Sequence, residues 1–263
     1  MAIAESILAV LVAMTLVMTA SWAVQRTLGD ASWTDVFWTF GSGACLTATA
    51  IAGGEGWRRW LVAAMVALWS ARLGSHLARR VVKGPEDARY AQFRRELGAA
   101  FQRRMLGLSL AQAPATAVLG LGVALAARAP GERIGPSDIL GAALFLAACL
   151  GEAVADSQLR AFKADCSRKS QVCDFGLWAW SRHPNYFFEA LLWWAFPAIA
   201  LRPDDPLSLI SLATPALMFL LLRFGSGVPP LEQAMLRSRQ EAYRLYQARV
   251  SPFFPLPPRK VPR

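Results

Sequence analysis

The stretch of sequence that decides the fold is SRHPNYFFEALLWW, residues 181–194. It begins with a cation, an imidazole, an amide and a phenol, and it continues as an apolar run. Because proline is favoured at the first position of a helix, Pro184 predicts that a helix begins there. On that helix Asn185, Glu189 and Trp193 would share one face. A carboxylate inside an apolar helix is costly unless it is paired or faces a polar cavity, so we expect polar groups opposite Glu189.

The composition of the whole chain is that of a membrane protein. Of its 263 residues, 55% are hydrophobic and 17% are charged, whereas soluble domains carry about 25% charged residues. A transmembrane helix needs roughly 17 to 25 apolar residues, and seven stretches reach or approach that length. We therefore predict one all-α integral membrane domain over residues 1–263. Its predicted spans are 3–24, 34–53, 57–78, 105–127, 137–155, 185–201 and 207–224, followed by a tail, 225–263.

The distribution of basic residues predicts the orientation of the chain. The net charge is +10, and 21 of the 28 Lys and Arg residues lie in 79–104, 160–182 and 223–263. These segments follow the third, fifth and seventh predicted spans, so they share one side of the membrane. The positive-inside rule makes that side cytoplasmic, with the N-terminus external and the C-terminus cytoplasmic. This distribution is typical of membrane orientation, and we expect membrane lipid but no nucleic acid as a partner.

The cysteines and histidines do not favour a metal site. Cys45 and Cys149 fall in predicted spans, while Cys166 and Cys173 fall in a cytoplasmic loop at a spacing unlike that of zinc sites. The chain has only two histidines, the commonest ligands after cysteine for such sites. We expect idle or buried thiols and no metal ion.

Ionisable residues also mark the second and third predicted spans. Asp35 is expected at the external or interfacial end of the second span. It is either a helix-start residue that satisfies free N–H groups or a proton donor at the end of a buried cavity. In the third span Arg72, His76 and Arg79 or Arg80 follow at helical spacing. The last arginines are typical surface anchors, whereas Arg72 lies about two turns deeper and indicates a functional site.

Two segments are predicted to be helices outside the membrane. Residues 83–104 mix acidic and basic side chains, which is typical of a short solvated surface helix. Leu231–Val250 is amphipathic, and we expect it to lie on the cytoplasmic interface with its apolar face toward the membrane. The tail 252–258 is too rich in proline for helix or sheet.

A polar stripe leaves the fifth predicted span toward the cytoplasm. Glu152, Asp156, Arg160 and Lys163 share one helical face. They are either ordinary ion pairs on a solvated helix end or the wall of a polar cavity. We favour the cavity wall because the stripe starts inside the apolar segment. With Arg182 and the free N–H groups at the start of the next span, it predicts a site for an anionic, partly polar small molecule that meets an apolar partner.

These motifs resemble the C-terminal region of the steroid 5-alpha-reductase superfamily, most closely its bacterial DUF1295 branch. The resemblance covers most of the chain and is strongest from Glu152 onwards. It is carried by RHPNY at 182–186 with Glu189 and Trp193, by DSQLRAFK at 156–163, by LEQ at 231–233, by YRLY at 243–246 and by PFFP at 252–255; the segments 35–38 and 72–80 resemble it more loosely.

The resemblance implies a membrane reductase, in the inner membrane of a bacterium, whose site opens to the cytoplasm. Such an enzyme takes NADPH from the cytosol and transfers hydride to an activated C=C of a lipophilic, steroid-like or isoprenoid-like molecule. By position, the polar cofactor contacts would be Asp156, Lys163, Asn185 and Glu189, with Trp193 lining the cavity. The full set of cofactor-binding candidates is Arg72, Asp156, Arg160, Lys163, Arg182, His183, Asn185, Tyr186, Glu189, Trp193, Glu232, Tyr243 and Tyr246.

The resemblance also implies where the substrate is held. In the steroid reductases a Glu on the second span and a Tyr on the third donate hydrogen bonds to the substrate carbonyl. The nearest counterparts here are Asp35 and His76, which are therefore the catalytic candidates. A histidine can serve as an acid because its side chain titrates near neutral pH.

A neighbouring family provides the alternative. The chain is also similar to the isoprenylcysteine carboxyl methyltransferases, through RHP at 182–184 with Tyr186 and a late Glu232. Those enzymes bind S-adenosylmethionine in the same cytoplasmic corner and methylate a lipid-linked substrate. Asn185, followed by Glu189, favours the reductase, as does a single Glu232 where the methyltransferases tend to carry two. A membrane protein without enzymatic activity is the third alternative.

Overall fold

The regular secondary structure of the described residues consists of helices. The computed structural model describes residues 2–54, 56–165 and 171–260, and within these ranges it contains no strand. The all-α prediction is therefore confirmed. The α-helices are α1 (Ile3–Leu28), α2 (Trp33–Gly53), α3 (Arg58–Lys83), α4 (Ala88–Leu97), α5 (Phe101–Ala127), α6 (Pro136–Ala164), α7 (Pro184–Leu192), α8 (Ala195–Ala200), α9 (Ala213–Phe224) and α10 (Val228–Arg249).

Several helices have the length and composition of membrane spans. Among the described residues, six helical stretches are long and apolar enough to cross a membrane. The first five predicted spans correspond to α1, α2, α3, α5 and α6. The prediction of several membrane-crossing helices is thus confirmed, while the count of seven and the orientation of the termini stay predictions. The six stretches are Ile3–Leu28, Trp33–Gly53, Arg58–Lys83, Ala88–Ala127, Pro136–Ala164 and Pro206–Arg249.

The predicted sixth span, 185–201, forms two short helices rather than one. The helix α7 ends at Leu192, and α8 begins at Ala195. Pro197 gives the reason, because proline has no N–H and its ring conflicts with the carbonyl four residues earlier, here that of Trp193. The predicted seventh span begins as a 3₁₀-helix, Pro206–Leu212, before it becomes α9.

The first of two compact units comprises residues Met1–Gly141 and Phe196–Leu217. Within it α1 and α5 run antiparallel. Gln25 Nε2 donates to Gln102 Oε1 over 2.7 Å near one end, and Arg128 Nη2 donates to Ser6 Oγ over 3.3 Å near the other. Fully buried side chains of this core include Met14, Met18, Leu46, Trp69, Met105 and Leu119.

A buried ion pair joins the start of α3 to the start of α6 in this unit. Arg58 is 4% exposed and Asp138 is 1% exposed. Arg58 Nε lies 2.7 Å from Asp138 Oδ1, and Nη2 lies 2.8 Å from Oδ2. The same guanidinium donates to the carbonyls of Ala129 and Arg133. Because every contact satisfies a charged or polar group, the pair fixes the loop before α6 to α3.

The second unit comprises Ala142–Ala195 and Met218–Arg263. Its helices α6 and α7 are antiparallel neighbours, since Gly151 lies against Phe188 and Asp156 lies beside Asn185. The ring of Phe188 occupies the space that a Cβ at residue 151 would need. The absence of a side chain there therefore allows the close approach of the two helices.

The helix α10 differs from its predicted arrangement. It is kinked at Gln240, where φ is 21° and ψ is −99°. Tyr243 and Tyr246 are buried in one cluster with Val250, against Val172. The expectation that the apolar face meets the membrane is wrong for these residues, because they pack against the protein itself. With six charged residues among 22, α10 is the charged end of the stretch Pro206–Arg249, and it follows the predicted seventh span, 207–224.

Candidate functional site

Arg182 fastens the segment before α7 to α10 in the second unit. Its Nε lies 2.6 Å from Glu232 Oε1, and its Nη1 donates to the carbonyls of Val250 over 2.7 Å and Gln247 over 3.1 Å. The side chain is almost completely buried. Since carboxylate and carbonyl groups hold its guanidinium, Arg182 positions α10 in this structure. The expected role of clamping a phosphate is not the role that its contacts indicate.

The carboxylate of Glu232 has several hydrogen-bond donors around it. Besides Arg182, it accepts a hydrogen bond from Gln247 Nε2 over 2.9 Å, and His183 Nε2 lies 3.3 Å from its Oε1. Burial raises the pKa of Glu232, but the hydrogen bonds and charges of His183 and Arg182 outweigh burial and lower the pKa to about 2. Burial lowers the pKa of His183, although Glu232 opposes that change. Glu232 is therefore ionised and His183 neutral at neutral pH.

The lowered pKa values of His183 and Glu232 predict that the protein loses stability as the pH falls. A histidine buried in its neutral form must be charged as the pH falls below about 6.5, its ordinary pKa, so its contribution is present above that pH and lost below it. The contribution of Glu232 is lost only below about 4.5, as the pH approaches 2. We expect the melting temperature in detergent to fall between pH 7 and pH 5.

A His183→Gln variant is the matched control, because glutamine keeps a donor for Glu232 but does not titrate. Its melting temperature is expected to change less over this pH interval than that of the wild type. Equal slopes for the two proteins would show that His183 is not the group responsible.

The helix α7 carries the predicted face of polar and aromatic residues. Trp193 Nε1 donates to Glu189 Oε1 over 3.1 Å, and both residues are buried. Asn185 Oδ1 accepts from the Tyr186 N–H over 3.0 Å, and Asn185 Nδ2 lies 3.4 Å from Asp156 Oδ1. Asp156 on α6 therefore meets this face at Asn185, whereas the bond of Glu189 to Trp193 lies within the face itself. The expectation of polar groups opposite Glu189 stays a prediction. The tyrosine ring of Tyr186 stacks on His183, with ring centroids 5.7 Å apart.

The polar stripe on α6 divides into two halves. Glu152 and Asp156 are buried, whereas Arg160 and Lys163 are exposed. The inner half is therefore enclosed by protein and the outer half is exposed, as a solvated helix end would be; a polar cavity beside Glu152 and Asp156 stays a prediction. Tyr243 and Tyr246 are buried on α10. Tyr246 donates to the carbonyl of Trp178 over 2.6 Å, so it too positions α10.

Asp35 belongs to a charged network in the first unit. Its carboxylate accepts from Arg89 Nη2 and from the hydroxyl of Tyr90, both over 2.7 Å, and Arg80 Nη2 lies 4.0 Å away. Asp35 therefore lies at the end of α2 that meets the end of α3 and the predicted surface helix α4. Since Arg80 and α4 belong to the basic side of the chain, the predicted orientation places Asp35 at the cytoplasmic end of α2. Of the expected external or interfacial position, only the interfacial one agrees with that orientation.

Arg72 and His76 lie on α3 one turn apart, and both are half-buried. His76 precedes Arg80, the neighbour of Asp35, by one turn. The two catalytic candidates, Asp35 and His76, thus belong to the same end of the first unit. The cofactor candidates other than Arg72 belong to the second unit.

The thiols form no disulfide within the described residues. Cys45, Cys149 and Cys173 are thiols that are not bonded to another cysteine, and Cys166 lies outside the described residues. Within the same ranges, no group of three or more His, Cys, Asp or Glu residues has an arrangement that could hold a metal ion.

A family model described as DUF1295, a protein of unknown function, matches residues 21–250. The chain belongs to the DUF1295 family. This match confirms the resemblance to DUF1295 itself, and it includes every candidate residue from Asp35 to Tyr246. The chain matches no curated protein and no solved structure.

Three partners of the candidate residues in this DUF1295 chain were not predicted from the sequence. Arg89 and Tyr90 bind Asp35 across 54 and 55 residues, and Gln247 binds Glu232 across the kink in α10. The signal in the sequence for Arg89 and Tyr90 was an aromatic residue within a segment of mixed charge.

Proposed function

We propose that this DUF1295 protein is a membrane reductase that uses NADPH to reduce an activated C=C of a lipophilic, steroid-like or isoprenoid-like molecule. The proposal extends the family assignment to the steroid 5-alpha-reductase superfamily. One observation carries it: the contact between Asn185 and Asp156. It joins the two segments that resemble the cofactor-binding region of that superfamily, 156–163 and 182–193, into one polar surface.

The residues present fit such a cofactor. Asn185 and Asp156 offer an amide and a carboxylate at the start of α7, where free N–H groups favour anions. Arg160 and Lys163 are exposed one and two turns beyond Asp156, where their positive charges would attract phosphate groups. Buried Glu189 offers an acceptor for an amide donor. NADPH supplies a hydride ion when it is bound.

Several of the thirteen cofactor candidates have a different role in this proposal. Arg182, His183, Glu232 and Tyr246 hold α10 against the segment before α7, so they position Asn185 rather than contact the cofactor. Tyr243 lies buried on the same helix. Their substitution should affect folding and binding together.

The reacting end of the substrate is assigned to the first unit. Reduction would add hydride from the cofactor to one carbon of the double bond, with the electron pair moving to the conjugated carbonyl oxygen. A proton from water would then bind the other carbon. In the proposal His76 donates a hydrogen bond to the conjugated carbonyl, which draws electron density away from the carbon that receives hydride. Asp35, held by Arg89 and Tyr90, would orient the polar end of the substrate.

The binding of NADPH by purified protein in detergent tests the proposal. Wild type is expected to bind NADPH, while Asn185→Ala and Glu189→Ala weaken binding by about tenfold each, the loss of roughly one hydrogen bond to a charged group. Gln233→Ala, on the exposed side of α10, is the matched control and should bind normally.

Parallel measurements with S-adenosylmethionine separate the alternatives. A rise in melting temperature with S-adenosylmethionine but not with NADPH would support the methyltransferase and contradict the reductase. Binding of neither molecule would favour a membrane protein without enzymatic activity.

A further inference from the structure

The proline-rich tail after α10 has a defined position in the second unit. The backbone N–H of Arg182 donates to the carbonyl of Ser251 over 2.8 Å, and that of Leu256 donates to the carbonyl of Trp180 over 3.0 Å. Phe253, between these two contacts, is 1% exposed. The tail is therefore held against residues 180–182 instead of extending into solvent.

Large apolar side chains of the tail and of its neighbours are exposed to solvent. Phe254 is 52% exposed, Leu256 53%, Trp180 47% and Phe224 60%. They form one surface, because the ring of Phe219 lies 5.8 Å from both Phe224 and Phe254 and the backbone of Leu256 is bonded to Trp180. We name Trp180, Phe224, Phe254 and Leu256 the apolar rim.

The apolar rim lies where apolar helices end. Phe254 packs against Phe187 near the start of α7 and against Phe219 near the end of α9, with ring centroids 6.0 Å and 5.8 Å apart. Both helices belong to predicted spans. The rim is therefore at the depth at which these segments leave the hydrocarbon layer, where Trp and other amphipathic aromatic residues are enriched.

Basic residues flank the apolar rim. The guanidinium of Arg223 lies 4.8 Å from the ring centre of Phe224. Arg259 is bonded through its backbone to Arg249, and Lys260 follows it; all three are exposed. Asp174 pairs with Arg249 over 3.1 Å and offsets part of this charge. The flank remains cationic within the described residues, which complements an anionic surface.

We propose that the apolar rim inserts into the headgroup layer of an anionic membrane and that Arg223, Arg259 and Lys260 bind lipid phosphates beside it. This anchor replaces the predicted interfacial face of α10, whose tyrosines are buried against the protein. Because the same tail is bonded to Arg182, the anchor fixes the segment before α7 relative to the membrane surface. The proposal does not depend on the cofactor or on the reaction.

Photo-crosslinking tests the anchor directly. Benzoylphenylalanine is placed at position 254 and, as a matched control, at Ala248, which is exposed on α10. The full-length protein is reconstituted in vesicles of phosphatidylcholine alone or mixed with phosphatidylglycerol. Position 254 is expected to give lipid adducts at about five times the yield of position 248, and phosphatidylglycerol should be over-represented among them.

A charge variant completes the test. Arg259→Gln with Lys260→Gln should remove the preference for phosphatidylglycerol while lipid adducts persist. The same label at Leu256 repeats the experiment in case the larger side chain at 254 disturbs folding. Equal yields at 248 and at the rim, adducts to a second protein chain in place of lipid, or an unchanged lipid preference in the charge variant would overturn the proposal.

Discussion

An Asp138→Ala variant is expected to lose about 3–5 kcal/mol of the free energy of unfolding, because it leaves the buried guanidinium of Arg58 without its carboxylate. The remaining contacts of Arg58 are to neutral carbonyl groups, and these do not balance its charge. For a chain of this size the loss corresponds to a fall in melting temperature of about 10 °C. Thermal unfolding in detergent measures it.

Asp204→Ala is the matched control for this prediction. Asp204 is an exposed acid in the same unit, and exposed charges contribute at most about 1 kcal/mol. Asp138→Asn should lie between the two variants, since an amide accepts a hydrogen bond but carries no charge. If Asp138→Ala melts at the temperature of the control, the pair does not stabilise the fold.

The second large effect is expected at the substrate end of the proposed site. His76→Gln and Asp35→Asn should each lower turnover about 10²- to 10³-fold, the usual contribution of a positioned acid or hydrogen-bond donor. The measurement is NADPH oxidation with an enone lipid that the wild type reduces. Binding of NADPH should be unchanged, because both residues lie outside the proposed cofactor surface.

Measuring both turnover and NADPH binding separates a role of these residues in the reaction from a role in folding. Asp35 also holds Arg89 and Tyr90, so a variant that merely misfolds would lose NADPH binding as well. Arg79→Gln, exposed at the end of α3, serves as the control and should retain turnover. Full turnover in both variants would remove Asp35 and His76 from the reaction.

The sequence predicts a helix well where the length of one uninterrupted apolar stretch determines it. The stretches 3–24 and 34–53 correspond to Ile3–Leu28 and Trp33–Gly53, with differences confined to their ends. The sixth span was predicted as continuous because most of its residues are apolar. A count of apolar residues does not reveal the steric conflict between Pro197 and the carbonyl of Trp193, and this conflict divides the predicted span into two helices.

The site was predicted in part. The spacing of residues along one helix was enough to predict that Glu189 and Trp193 lie on one face. The resemblance to the reductases assigned Asp156 and Asn185 to the same cofactor-binding region. Spacing does not predict a contact such as that of Asp35 with Arg89, because 54 residues separate them and only the packing of α4 joins them. The position of Asp35 at the basic end does follow from the charge rule, since the second span starts where the first one ends.

The division between α7 and α8 has a consequence for how the chain enters a bilayer. The nine residues of α7 extend about 14 Å, less than half of a hydrocarbon layer about 30 Å thick. Around the break the regular helical hydrogen-bond pattern is interrupted, and the Trp194 N–H donates over 3.0 Å to the Leu191 carbonyl, three residues earlier. Lipid offers no hydrogen-bond partner to backbone groups at such an interruption. The side chain of Trp193 is fully enclosed at this point. Residues 184–200 therefore cannot be stable as an independent insertion unit during biogenesis, and they reach their final position only when neighbouring helices are already present to shield them from lipid.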